Sequence, residues 1–193
     1  MANDATEVVV GASGRVLVGD PTLVTLPTNV ATALAATWVE VGFVSEDGVT
    51  FTDSQDINDI PAWQSFYPIR KVVSSKASKL EFVMRQWNET TVPLAFGGGT
   101  ISRVSGVTTY TPPAPGTIFY RAMVVEWTDG GNTFRLVVPR GLATGEVSSK
   151  IVRTDAADLP ISFDVVPSGS PVAGQLSTQA WYLLTNDASF VIT

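Results

Sequence analysis

Apolar and polar residues alternate with a period of two along most of this chain. The plainest case is residues 79–85, where Leu80, Phe82 and Met84 share one face and Lys79, Glu81 and Arg85 the other. Ile161, Phe163 and Val165 alternate with Ser162 and Asp164, and Phe134, Leu136 and Val138 with Thr133 and Arg135. Val39, Val41 and Phe43 lie on one face with Glu40 opposite. This is the period of a strand that buries one face. Residues 119–127 (FYRAMVVEW) are largely apolar, which predicts a central strand buried on both faces. With an early strand at 15–19 and a late one at 180–184, the chain offers about nine or ten strands. Residues 46–48 (EDG) are placed to turn 38–44 into 49–52, and 129–132 (DGGN) to turn 119–127 into 133–138. Both supply residues that tolerate positive φ, as tight hairpins require. Strands joined in this way are antiparallel, so the pattern predicts an all-β sandwich or barrel. A length of 193 residues suits a single domain.

Three stretches break the alternation. Residues 87–99 (WNETTVPLAFGGG) read as one short helix. Asn88 or Thr90 can cap it. Pro93 is tolerated only in a first turn, which favours Thr90 as the cap and a helix over 91–96. Gly97 then stops it in the left-handed conformation. Val92, Leu94, Ala95 and Phe96 give it an apolar face, and a helix this short must pack on the sandwich to persist. Residues 20–35 (DPTLVTLPTNVATALA) show neither period and contain two prolines. Fully extended they reach at most about 55 Å. Their apolar residues Leu23, Val24, Leu26, Val30 and Leu34 argue for docking on some surface, and long loops of this kind are commonly functional. Residues 109–116 (TYTPPAPG) read as a stiff linker.

Composition removes most chemistry. The chain has no cysteine and no histidine. Disulfides, thiolate nucleophiles, thiolate metal sites, the commonest general base and the commonest transition-metal ligand are therefore excluded. Gly11 to Gly14 (GASG) lacks the Lys-Ser/Thr of a phosphate loop and reads as a turn. Asp53, Asp56 and Asp59 lack the alternating oxygens, central glycine and terminal glutamate of a calcium loop. The reading is of a protein without catalytic, cofactor or metal sites. Trp38, Trp87, Trp127 and Trp181 border apolar runs and read as core, whereas Trp63, in the loop PAWQSF, is the candidate for an exposed aromatic contact. No apolar run approaches the roughly 18 residues of a membrane span. The start MANDATEVVV has no basic-then-apolar pattern of a secretory signal.

Charge is −6 and unevenly spread: 40–60 holds six acidic and no basic residues, whereas 70–103 is mainly basic. Self-complementary surfaces between copies of the chain are one consequence of such a pattern. A monomeric β-sandwich that binds carbohydrate is the alternative, and it requires several aromatics exposed on one face.

Five segments taken in order, 41–51 (VGFVSEDGVTF), 62–72 (AWQSFYPIRKV), 79–99 (KLEFVMRQWNETTVPLAFGGG), 126–141 (EWTDGGNTFRLVVPRG) and 155–165 (DAADLPISFDV), resemble the major tail tube proteins of long-tailed, non-contractile bacteriophages, particularly those of actinobacteria. The resemblance covers roughly residue 16 to the C-terminus. It implies a β-sandwich with one flanking helix, the structural helix segment of Thr90, Leu94, Phe96 and Gly97. It implies hexameric rings stacked into a hollow tube, with a long extended loop reaching the next ring. Residues 20–35 have the length for that inter-ring arm, through Leu23, Val24, Leu26, Val30 and Leu34. The implied location is the virion tail, assembled in the host cytoplasm. The implied partners are further copies of the chain, the tape measure protein, and the tail-tip and tail terminator proteins, with no membrane. A ring of six copies would carry −36, six times the −6 of the chain, so DNA would slide through without specific binding. A head–tail joining or capsid decoration protein shares these folds and is the nearest variant of this reading.

Overall fold

The computed structural model describes residues 7–168 and 179–190. Among them are ten strands and one α-helix. One sheet of eight strands runs in the order β2 (Val39–Glu40), β1 (Ser13–Gly19), β7 (Tyr120–Asp129), β8 (Asn132–Thr144), β9 (Leu159–Val165), β4 (Ser65–Met84) and β3 (Val44–Ala62), and β10 (Tyr182–Thr185) pairs with β8. Each pairing is antiparallel.

Strand β8 is the corner of this sheet. Its first half, Phe134 to Val137, pairs with β10; its second half, Gly141 to Thr144, pairs with β9. Between them stands Pro139, which has no N–H to donate, and the register against β7 shifts between Arg121 and Met123 beside it. The sheet folds over at this point into a sandwich. Val16, Val18, Met123, Val125, Leu136 and Val138 from one leaf meet Leu80, Phe82, Met84, Leu159, Ile161 and Phe163 from the other, all buried. The alternation read from the sequence thus points inward at these strands.

The first leaf also buries its outer face. Leu17, Ala122, Val124, Val137 and Tyr182 form a second buried cluster with Trp38. This accounts for the unbroken apolar run of β7, which has a core on either side.

Helix α1 (Thr91–Ala95) packs beside β9, with Leu94 buried and Phe96 as its C-cap. Thr90 occupies the N-cap position without a side-chain cap bond. The capping side chain is Asn88, whose Oδ1 accepts from the amides of Thr90 and Thr91 at 2.9 Å each. Gly97, at φ 71°, takes the left-handed C′ position, and the Gly98 amide donates back to the Pro93 carbonyl at 2.7 Å. Phe96 is half-exposed and meets the ring of Tyr110.

Several local expectations change. Residues 46–48 do not form a hairpin turn. They are the extra residues of an irregularity within β3, since Val44 pairs with Met84 and Val49 already with Phe82. The expected strand 38–44 is broken: Val39–Glu40 is strand, Gly42 turns the chain at φ 83°, and strand resumes at Val44 as the start of β3. Residues 109–111 belong to a separate two-stranded hairpin, β5 (Thr100–Val104) and β6 (Val107–Thr111). Trp87 is not core: the residue is 47% exposed and its indole N–H donates to the Ala157 carbonyl at 2.6 Å.

Candidate assembly surfaces

Strands β3 and β4 run for 19 and 20 residues, far longer than the sandwich they belong to. Only Val44 to Thr52 and Lys79 to Met84 lie within it, where β9 covers the other edge of β4. From the pair Asp53–Ser78 outward, each strand is paired only with the other, and almost every side chain is exposed. From Asp53 to Ala62 this ribbon runs about 30 Å at the usual strand rise. Its body mixes polar residues, among them Ser54, Gln55, Asn58, Ser74 and Ser75, with exposed Ile57, Ile60, Val72 and Val73. Its tip is apolar: Trp63 is 99% exposed, and Phe66, Tyr67 and Ile69 are also largely in solvent. A two-stranded ribbon is marginal by itself in water. Its two free edges and bare aromatic tip are features a monomer avoids.

The root of the ribbon is tied down. The carboxylate of Asp53 accepts from the Ser78 hydroxyl and, at 3.3 Å, from the Trp181 indole, and lies 3.2 Å from Lys76 Nζ. The Ser78 bond is the main reason its pKa falls below the ordinary value, with Lys76 and Trp181 adding to it against burial. Trp181 in turn packs edge-on against Phe51 at 4.8 Å. Trp181, immediately before β10, thus touches both strand β3 and the carboxylate at the root of the ribbon.

Residues 20–35 do not stand away from the molecule. Val24, Leu26 and Leu34 pack on the outer cluster of the first leaf. Asp20 starts the segment as a local turn, its Oδ1 accepting from the Thr22 amide and hydroxyl at 2.9 and 2.6 Å. Those bonds lower its pKa, helped by Arg121. An extended segment without a partner strand leaves carbonyls that need donors. The sheet supplies them. Trp38 Nε1 donates to Thr25 at 3.1 Å, the Tyr182 hydroxyl to Pro27 at 2.9 Å, and Arg135 Nη1 to Asn29 and Thr32 at 2.6 and 3.2 Å. Arg135 is buried and paired with Glu126, which also receives Arg15 at 2.7 Å. Burial alone would raise the pKa of Glu126, but the bonds from Arg135 and Arg15 bring it below normal. Of the five apolar residues read as an arm, Leu23 is exposed and Val30 partly so; the other three are half-buried on the sheet.

A cleft of about 1000 Å³ opens between the two leaves. Phe43, Val49, Phe51, Trp127, Trp181 and Leu183 line it, and Glu40, Glu46 and Asp47 also border it. Among the described residues no three acidic groups are placed to hold a metal ion, and no helix is long and apolar enough to cross a membrane.

Sequence reasoning singled out Trp63 and the 20–35 segment but missed the ribbon that carries Trp63. Polar and apolar residues are mixed on both faces of the ribbon and leave no alternation to detect, and its only signal was the length of chain between Thr52 and Lys79. No curated protein matches the chain. The family model described as phage tail tube protein matches residues 1–189.

Proposed function

Because the chain belongs to the phage tail tube protein family, a structural component of the virion tail, we propose that its copies assemble into stacked rings, six to a ring, and that the tube so formed conducts the genome during ejection. The β3–β4 ribbon is the observation that carries this reading. It exposes two strand edges and an apolar tip, and a neighbouring copy satisfies both at once. Edges that pair between subunits close a barrel around the channel. The reach toward the next ring belongs to this ribbon. Residues 20–35 are held on their own sheet and add an inter-ring contact through exposed Leu23.

Assembly of this kind needs no catalytic group, and the surfaces described above offer contacts in place of chemistry. The tape measure protein inside the tube and the tail-tip and terminator proteins at its ends are the further partners. DNA passes without a specific site, repelled by the net negative charge of the rings.

Electron microscopy of the purified protein tests the proposal. Stacked rings about a central channel are expected, alone or with the tail-tip initiator. A protein that stays monomeric in all conditions, initiator included, overturns it. Replacing 54–77 by a short turn should leave a folded sandwich that builds no tubes, and tubes of normal length from that variant would refute the role of the ribbon.

A further inference from the structure

The ribbon tip and the cleft are complementary, and the geometry points to a knob-and-socket contact: we propose that Trp63 and Phe66 of one copy enter the cleft between the leaves of another. This rests on the self-assembly proposed above and names the site through which it acts.

The tip cannot fill the cleft of its own chain. Val49 and Phe51 of β3, at the root of the same ribbon, form part of the cleft wall, and paired strands hold the tip about 30 Å farther out. The occupant is a second copy for two reasons. First, the apolar surfaces match in kind. Phe43 on the cleft wall is 73% exposed and Leu183 39%, facing solvent as do the aromatics of the tip. Burying one large aromatic removes on the order of 150–250 Å² from water. Second, the charges are opposite. Glu40, Glu46 and Asp47 beside the cleft have no ion-pair partner among the described residues, and Arg70, on the ribbon opposite Ile60, has none either. Lys71 lies beside Arg70, paired to Asp59 at 3.2 Å.

Knob and socket are different patches of one surface, so the contact is head-to-tail. Such a contact propagates without end unless a rotation closes it into a ring. One contact type therefore accounts for growth beyond a dimer.

Engineered cysteines test the contact, since the chain has none of its own. Gln64→Cys beside the knob and Glu46→Cys beside the socket, combined in one full-length chain, leave every apolar contact residue in place. Tubes of this variant treated with a short bis-maleimide should give a covalent ladder of trimers and longer chains. Either single variant should give no species beyond a dimer. Tubes seen in the microscope without a ladder overturn the knob-and-socket contact while the tube function stands. Wild-type protein that forms no tubes at all overturns both. In parallel, a Trp63→Ala/Phe66→Ala variant should keep the wild-type circular dichroism and melting curve, because both side chains are in solvent, yet lose tube growth at least tenfold. Unchanged growth overturns the proposal.

Discussion

Arg135 and Glu126 face each other across β8 and β7 as a directly opposed cross-strand pair, bound through the Arg135 Nε and Glu126 Oε2 at 2.7 Å. Arg15 completes the row on β1, opposite Glu126. The same guanidinium reaches the carbonyls of Asn29, Val30 and Thr32. One buried cation thus joins three strands to a segment that has no strand partner.

Arg135→Ala should therefore do more than weaken the sheet. Removing one member of a buried, hydrogen-bonded pair costs about 3–5 kcal/mol, somewhat less here because Arg15 remains on Glu126. Urea titration should show the loss, and limited proteolysis should cut within 20–35 before global unfolding. Resistance equal to wild type at 20–35 would remove Arg135 from its role as the anchor.

Glu126 makes stability depend on acid. Its folded pKa lies below the ordinary value of 4.5, so its contribution is fully present above that value and is lost as pH falls through the lowered one. Melting temperature measured from pH 7 down to pH 2 should fall on the acid side. Glu126→Gln should have a lower plateau at neutral pH and a shallower acid limb.

Tyr182 gives the opposite dependence. Burial raises its pKa from 10.0 to about 12. A raised pKa means that its contribution is intact below pH 10 and is lost as pH climbs through about 12. Phenolate absorbance should show a titration step near pH 12, and Tyr182→Phe should remove it. Loss of the hydroxyl bond to Pro27 should cost about 1 kcal/mol.

Gly141 lies at the β8 corner, where an added Cβ would come within 2.3 Å of Phe163 Cε1 and 2.6 Å of the Asp164 carbonyl. The carbonyl belongs to the ladder and cannot withdraw. Gly141→Ala should destabilise by about 1–3 kcal/mol, read as a lower urea midpoint. A neutral result would show that the corner can open.

The two long excursions of the chain should respond oppositely to deletion. From the sequence, loss of 20–35 leaves the core intact, since no periodic position is lost. The structure reverses that expectation, because Val24, Leu26 and Leu34 cover the outer apolar cluster. Deleting 20–35 should expose Leu17, Val124 and Val137 and yield aggregated or poorly folded protein. Shortening the ribbon should leave melting unchanged. Circular dichroism and size-exclusion chromatography of the two deletions decide the matter.

The sequence by itself determined the elements whose residues are sorted by water. At β9, at the root of β4 and in the second strand of the DGGN hairpin, a side chain every second residue had to leave solvent, and period two records that necessity. The short helix was legible because Pro93 and Gly97 restrict the backbone locally. The resemblance across five segments had already pointed to the tail tube family that the chain belongs to. Tertiary structure alone decided where the segments without a period go. The ribbon beyond Thr52 mixes polar and apolar residues on both faces, so it carries no period, and its pairing depends on residues up to 25 positions apart, as between Asp53 and Ser78. The docking of 20–35 depends on Arg135 and Tyr182, more than a hundred residues downstream, donating to main-chain carbonyls. Main-chain carbonyls are alike in every residue, so no composition or spacing within 20–35 could announce where they would be satisfied.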